Sequence, residues 1–167
     1  MTPLPVLWAA SLLLIAGGVA KVRHPGATVP ALRAAGIPAH RNAVIALGTI
    51  EVAVGLGAIT GVSQGFAVLV AILYAAFAAF SARLVVVGAP GVSCGCAGER
   101  ALPPSWLHAV LNSIAAIGAS VAAIAHTDIP NDSQLVVLGL GSFAIAWAAF
   151  LAVAYVPTLF GSYRGTQ

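Results

Sequence analysis

Ionisable residues divide this chain into long apolar runs. No Lys, Arg, Asp or Glu lies between Glu51 and Arg83, between Arg100 and Asp128, or between Asp132 and Arg164. A helix that spans a bilayer needs about 20 mostly apolar residues. The pattern predicts five such spans, at 5–20, 43–60, 66–87, 106–125 and 135–156. The runs are too long for strands and lack alternation with a period of two. The expected fold is therefore all-α, one transmembrane domain over 1–167 built as a bundle of about five helices.

The connections differ in kind. The segment 21–41 is long, holds Lys21, Arg23, Arg33 and Arg41, and is punctuated by Pro25, Pro30 and Pro38. Its middle, 29–37, predicts a short interfacial helix ended by Gly36. Residues 61–65 predict a tight, uncharged turn. Residues 88–105, carrying Cys94 and Cys96, and 127–133, carrying Asp128 and Asp132, are expected to be connecting loops. Gly18-Val19-Ala20 resembles a small-residue cleavage site, but no basic segment precedes it, so the first run is expected to stay as a span.

Composition removes whole classes of function. Of 167 residues, 60% are hydrophobic and 7% charged, against about 25% charged in a soluble domain; the mean hydropathy is +1.03. Such a chain cannot cover a globular fold with polar surface, so a soluble enzyme is excluded. The formal charge of +3 comes from scattered residues with no basic stripe, which gives no reason to expect a nucleic-acid partner.

Candidate chemistry starts at Cys94-Gly95-Cys96. Two thiols one residue apart close only a small, strained disulfide ring, and strain makes a disulfide easier to reduce. Such a pair suits cycling between thiol and disulfide better than a permanent staple, which gains little from so short a loop. Two thiolates in one loop also suit a soft ion such as Cu(I), and two incidental loop cysteines are the bland reading. A zinc site is disfavoured by the spacing and by the lack of a second pair.

Glu51 falls in mid-span, where a lone carboxylate is costly and calls for a partner. Lys21 and Arg83 lie near span ends; either could snorkel, or one could reach inward to Glu51. His108 and Asn112, one helical turn apart, can face the same side of the fourth span. These polar residues suit a hydrogen-bond network between helices or a proton or quinone role. His24, His40 and His126 are expected to be solvated. Trp8, Trp106 and Tyr155 suit an aromatic belt at the membrane surface, whereas Trp147 is deep enough for helix packing. Gly55, Gly57, Gly139 and Gly141 are expected to let helices approach closely.

The same residues carry a resemblance. Gly18 to Pro25, with Lys21 followed by Pro25 at Lys-x-x-x-Pro spacing, looks like a signature of DoxX-like membrane proteins. Leu47 to Leu56, around Glu51, is similar to that superfamily's glutamate-bearing helix. Cys94-Gly95-Cys96-Ala97-Gly98 resembles the Cys-Gly-Cys-Phe-Gly loop of the MauE branch, the methylamine-utilisation membrane proteins. Asn112 matches the Asn of an Arg-Asn pair in the next helix. Ala97 stands in place of the Phe, and Leu111 where the Arg is common. The resemblance runs from about Leu4 to Ala125 and implies a four-helix DoxX-like core plus one helix. It also implies a thiol-redox role for Cys94 and Cys96 in the maturation of exported proteins, alongside thioredoxin-like partners.

The expected function is a membrane thiol–disulfide relay between the cysteine pair and a protein partner. A quinone could serve the membrane end, although no quinone motif can be read. A small scaffolding subunit of a membrane complex and Cu(I) handling are the alternatives. Five spans put Lys21, Arg23, Arg33, Arg41, Arg83, Arg100 and Arg164, every Lys and Arg of the chain, on one side. That bias predicts a multi-pass protein of the cell membrane with its N-terminus outside and the cysteine loop in the cytoplasm. Maturation of exported proteins would instead put the cysteines outside.

Overall fold

The computed structural model describes residues 3–60, 64–88, 105–125 and 132–161, with side chains described over 135–152 in the last segment. All the regular structure among the described residues is helical. The helices are α1 (Leu4–Arg23), a 3-10 turn (Pro25–Ala27), α2 (Val29–Ala34), α3 (Arg41–Thr60), α4 (Gln64–Val87), α5 (Trp106–Ile124) and α6 (Asp132–Gly161). All but α2 and the 3-10 turn are long and apolar enough to cross a membrane. Lipid offers no partner to a free N–H or C=O, so such runs satisfy their backbone internally as helices. Proline stands in the first turn of α1 and of α2, where its missing N–H costs nothing. Hydroxyls in the spans are treated likewise: Ser11, Thr49, Ser113, Ser120 and Ser142 each donate to the carbonyl four residues earlier.

Helices α1, α3, α4 and α5 form a four-helix unit, with α1 against α3 and α4 against α5 as its two broadest interfaces; α6 packs mainly on α1. The unit has two unlike ends. Around the first half of α1 the core is apolar and includes Leu7, Trp8, Leu14, Val54, Ala58, Val70 and Ala119. Tyr74 closes this core, its hydroxyl donating to the Ala10 carbonyl at 2.7 Å while its ring meets Phe77 edge-on. Tyr74→Phe is expected to cost about 1 kcal/mol, the net worth of one hydrogen bond, in reversible unfolding from micelles. At the other end α2 and the residue after it pack on α4, with Ala31 and Ala35 against Leu84 and Phe80.

Two aromatic expectations are overturned. Trp8 is buried in the apolar core and so is no belt residue. Trp147 is 54% exposed and stacks on Phe143 and Phe150 of its own helix, so it does not pack between helices. Depth along a span does not tell which way a side chain faces around it. The small-residue expectation holds at Gly55, which lies against Ser11 and Ile15 of α1, and at Gly57, which lies against Phe66 of α4. It fails at Gly139 and Gly141, which face open space. Trp106 is exposed at the start of its span.

Candidate functional site

The polar end of the bundle is organised by α1 and α3. They run antiparallel and come into backbone contact at Gly18 and Gly48. A Cβ on Gly18 would stand 2.6 Å from the Gly48 carbonyl oxygen, and one on Gly48 would stand 2.7 Å from that of Gly18. Each glycine also faces the charged residue of the other helix, Gly18 opposite Glu51 and Gly48 opposite Lys21. Both charged residues follow their own glycine by three positions, about one turn. The absent side chains thus make room for the stems of Lys21 and Glu51 between the helices.

Lys21 Nζ meets Glu51 Oε2 at 2.9 Å, and both residues are buried. Lys21 also sits 5.3 Å from the centre of the Phe77 ring on α4, within cation–π range. The second carboxylate oxygen, Glu51 Oε1, is buried with no partner among the described residues. Of the two cations open to Glu51, Lys21 is the one that pairs.

Arg83 serves elsewhere. Its Nε donates a short hydrogen bond to the Ala35 carbonyl at the end of α2. Gly36, at φ +80°, turns the chain there in the left-handed region, as its place after the predicted interfacial helix requires. Arg33 Nε donates to the Ala39 carbonyl at 3.2 Å. The Arg83 bond holds the 24–40 connection against the end of α4, and the Arg33 bond closes the connection on itself.

One turn beyond Phe77 on α4, buried Ser81 meets Asn112 of α5, whose Nδ2 lies 3.4 Å from Ser81 Oγ, a long contact. His108, one turn before Asn112, is buried; its Nδ1 lies 2.8 Å from Ser105 Oγ, and its Nε2 has no partner among the described residues. The expected common face of His108 and Asn112 is therefore present and points into the bundle. Phe77 and Ser81 link the ion pair on α1 and α3 to this strip between α4 and α5. His24 and His40 are exposed, as expected; His126 lies outside the described residues.

Cys94 and Cys96, with Ala97 and Arg100, lie outside the described residues, as do the 61–63 turn and the 127–131 part of the last loop. The cysteine segment joins the C-terminal end of α4 to the N-terminal end of α5, the end of the bundle that holds Arg83, Ser81, Asn112 and His108. What the sequence did not single out is the pairing of Gly18 with Gly48. Its signal was available: a glycine three residues before each of the two intramembrane charges.

No curated protein and no solved structure matches this chain. A family model, Methylamine utilisation protein MauE, matches residues 2–126. The match takes in every element of the four-helix unit, including both residues of the ion pair and both cysteines, and leaves α6 outside. Covering well over half of the chain, it shows that this membrane protein belongs to the MauE family.

Proposed function

We propose that this chain is a membrane thiol–disulfide relay whose working groups are Cys94 and Cys96. The reading is carried by the Cys94-Gly95-Cys96 pair itself, whose small ring favours reversible over permanent bonding. Family membership and the buried polar strip at the end of the bundle from which this segment springs support it.

In the direction that reduces a partner, the thiolate of one cysteine attacks a partner disulfide. A mixed disulfide forms and one partner thiolate leaves. The second cysteine, as thiolate, then attacks the mixed disulfide, releasing the partner as a dithiol and leaving Cys94 bonded to Cys96. Two electrons pass to the partner, which takes up two protons. The reverse order oxidises a partner by the same exchanges. A thioredoxin-like dithiol protein is the partner class, and a membrane quinone, taking or giving two electrons and two protons, is the class of second carrier. Lys21 and Glu51 fix α1 against α3; Asn112 and His108 supply polar groups between α4 and α5. By the Lys/Arg bias, the cysteines face the cytoplasm.

One labelling experiment tests both role and side. Cells are treated with a membrane-impermeant maleimide before and after permeabilisation, with and without prior reduction. The expected result is labelling only after permeabilisation, with a fraction of the pair that becomes reactive only on reduction. Cys94→Ser and Cys96→Ser are each expected to abolish complementation while leaving abundance in the membrane unchanged. A pair that never changes redox state, or full activity in both variants, overturns the relay. Labelling in intact cells overturns the cytoplasmic side and restores a role towards exported proteins.

A further inference from the structure

We propose that the connection between α1 and α3 is a docking surface for the headgroups of anionic phospholipids. Arg23, Arg33 and Arg41 are all exposed on this connection, together with His24 and His40. No acidic residue occurs before Glu51, and Glu51 is buried against Lys21. Among the described residues no carboxylate therefore neutralises the three arginines.

The surface is also built and held. Arg33 is oriented through Nε by the Ala39 carbonyl, which leaves the rest of its guanidinium outward. The segment under it is fixed by the Arg83 hydrogen bond to Ala35 and by Ala31 and Ala35 on Leu84. Exposed Val22 and Ile37 stand among the basic groups, at 40% and 45% exposure. Apolar side chains beside guanidinium groups at the end of a membrane bundle match the layer where acyl chains meet phosphates. The charge complement is an anionic headgroup, which guanidinium groups bind through paired N–H donors. Basic residues beside a span attract anionic lipid by about 1 kcal/mol each, roughly a five-fold enrichment per residue at low salt. This surface is independent of the cysteines and of the relay.

The test uses the full chain in nanodiscs of phosphatidylcholine with a minor fraction of phosphatidylglycerol. Lipids retained by the protein on release are counted by native mass spectrometry. The wild type is expected to retain phosphatidylglycerol several-fold above its share of the bilayer, and to lose that excess as salt is raised. Each of Arg23→Gln, Arg33→Gln and Arg41→Gln is expected to lower the excess by about two- to five-fold, and the triple variant to bring it to parity. Gln64→Ala, exposed at the start of α4 on the opposite end of the bundle, is expected to change nothing. At matched ionic strength, inorganic phosphate is expected to lower the excess no more than chloride does; a specific displacement by phosphate would identify a free-anion site and overturn the lipid assignment. Equal retention of the two lipids by the wild type would overturn the proposal. So would undiminished excess in the three single variants, which serve if the triple variant does not fold.

Discussion

Lys21→Met, with Glu51 left in place, is expected to destabilise the protein by about 3–5 kcal/mol, because it strands a buried carboxylate. Glu51 sits at 0% exposure, and one of its oxygens already has no partner among the described residues. Glu51→Leu is expected to be similarly severe, since it leaves the ammonium group of Lys21 buried over Phe77 alone. Glu51→Gln keeps a carbonyl that can accept from Lys21 and is expected to be milder. The double variant Lys21→Met with Glu51→Leu is expected to regain most of the loss, because removing both charges removes the desolvation penalty. Unfolding from micelles across this cycle measures the coupling. Single-variant losses below about 1 kcal/mol would mean that the pair acts like an exposed one. Activity then separates two roles. A double variant that is stable and active makes the pair structural; one that is stable and inactive shows that protons or charge must pass there.

The second large effect is expected at the crossing of α1 and α3. Gly48→Ala puts a methyl group 2.7 Å from a backbone oxygen and 3.0 Å from Lys21 Cβ. Neither neighbour is the free end of a flexible side chain, so the helices must separate. Overpacking of this sort costs about 1–3 kcal/mol, and Gly48→Leu is expected to remove the folded protein from the membrane. Gly18→Ala, at 2.6 Å from the Gly48 carbonyl oxygen, is expected to match Gly48→Ala. Gly139→Ala meets open space and is expected to be neutral or to stabilise α6 by up to about 1 kcal/mol. The contrast in sign separates glycine as clearance from glycine as weak helix former. Equal effects at Gly48 and Gly139 would remove the crossing from the account.

The spans were legible because a lipid bilayer demands long apolar runs, and this chain interrupts them with charge at only a few places. The short helix α2 was legible from Pro30 and Gly36, whose backbone constraints act locally. The family followed from local motifs as well. What the sequence did not reveal is the direction in which residues face. A soluble helix marks its buried face with an apolar stripe, but in lipid both faces are apolar, so Trp8 and Trp147 gave no sign of which was inside. For the same reason Lys21 and Arg83 stood as equal candidates for Glu51. The choice between them was made by the Gly18–Gly48 crossing on one side and by the Ala35 carbonyl on the other, both of which depend on contacts far apart in sequence.

The ion pair also constrains biosynthesis. An ionised side chain at the centre of a helix costs about 2.5–3.5 kcal/mol to insert. Glu51 lies near the middle of α3 and would meet that penalty if α3 left the insertion machinery alone. Lys21, thirty residues earlier, is already available when α3 emerges. Because α1 and α3 are antiparallel, with a connection short enough to fold back at the membrane surface, the two can leave as one hairpin with the charges already joined. The partner that stabilises Glu51 in the finished bundle would thus also be the one that lets it enter the bilayer.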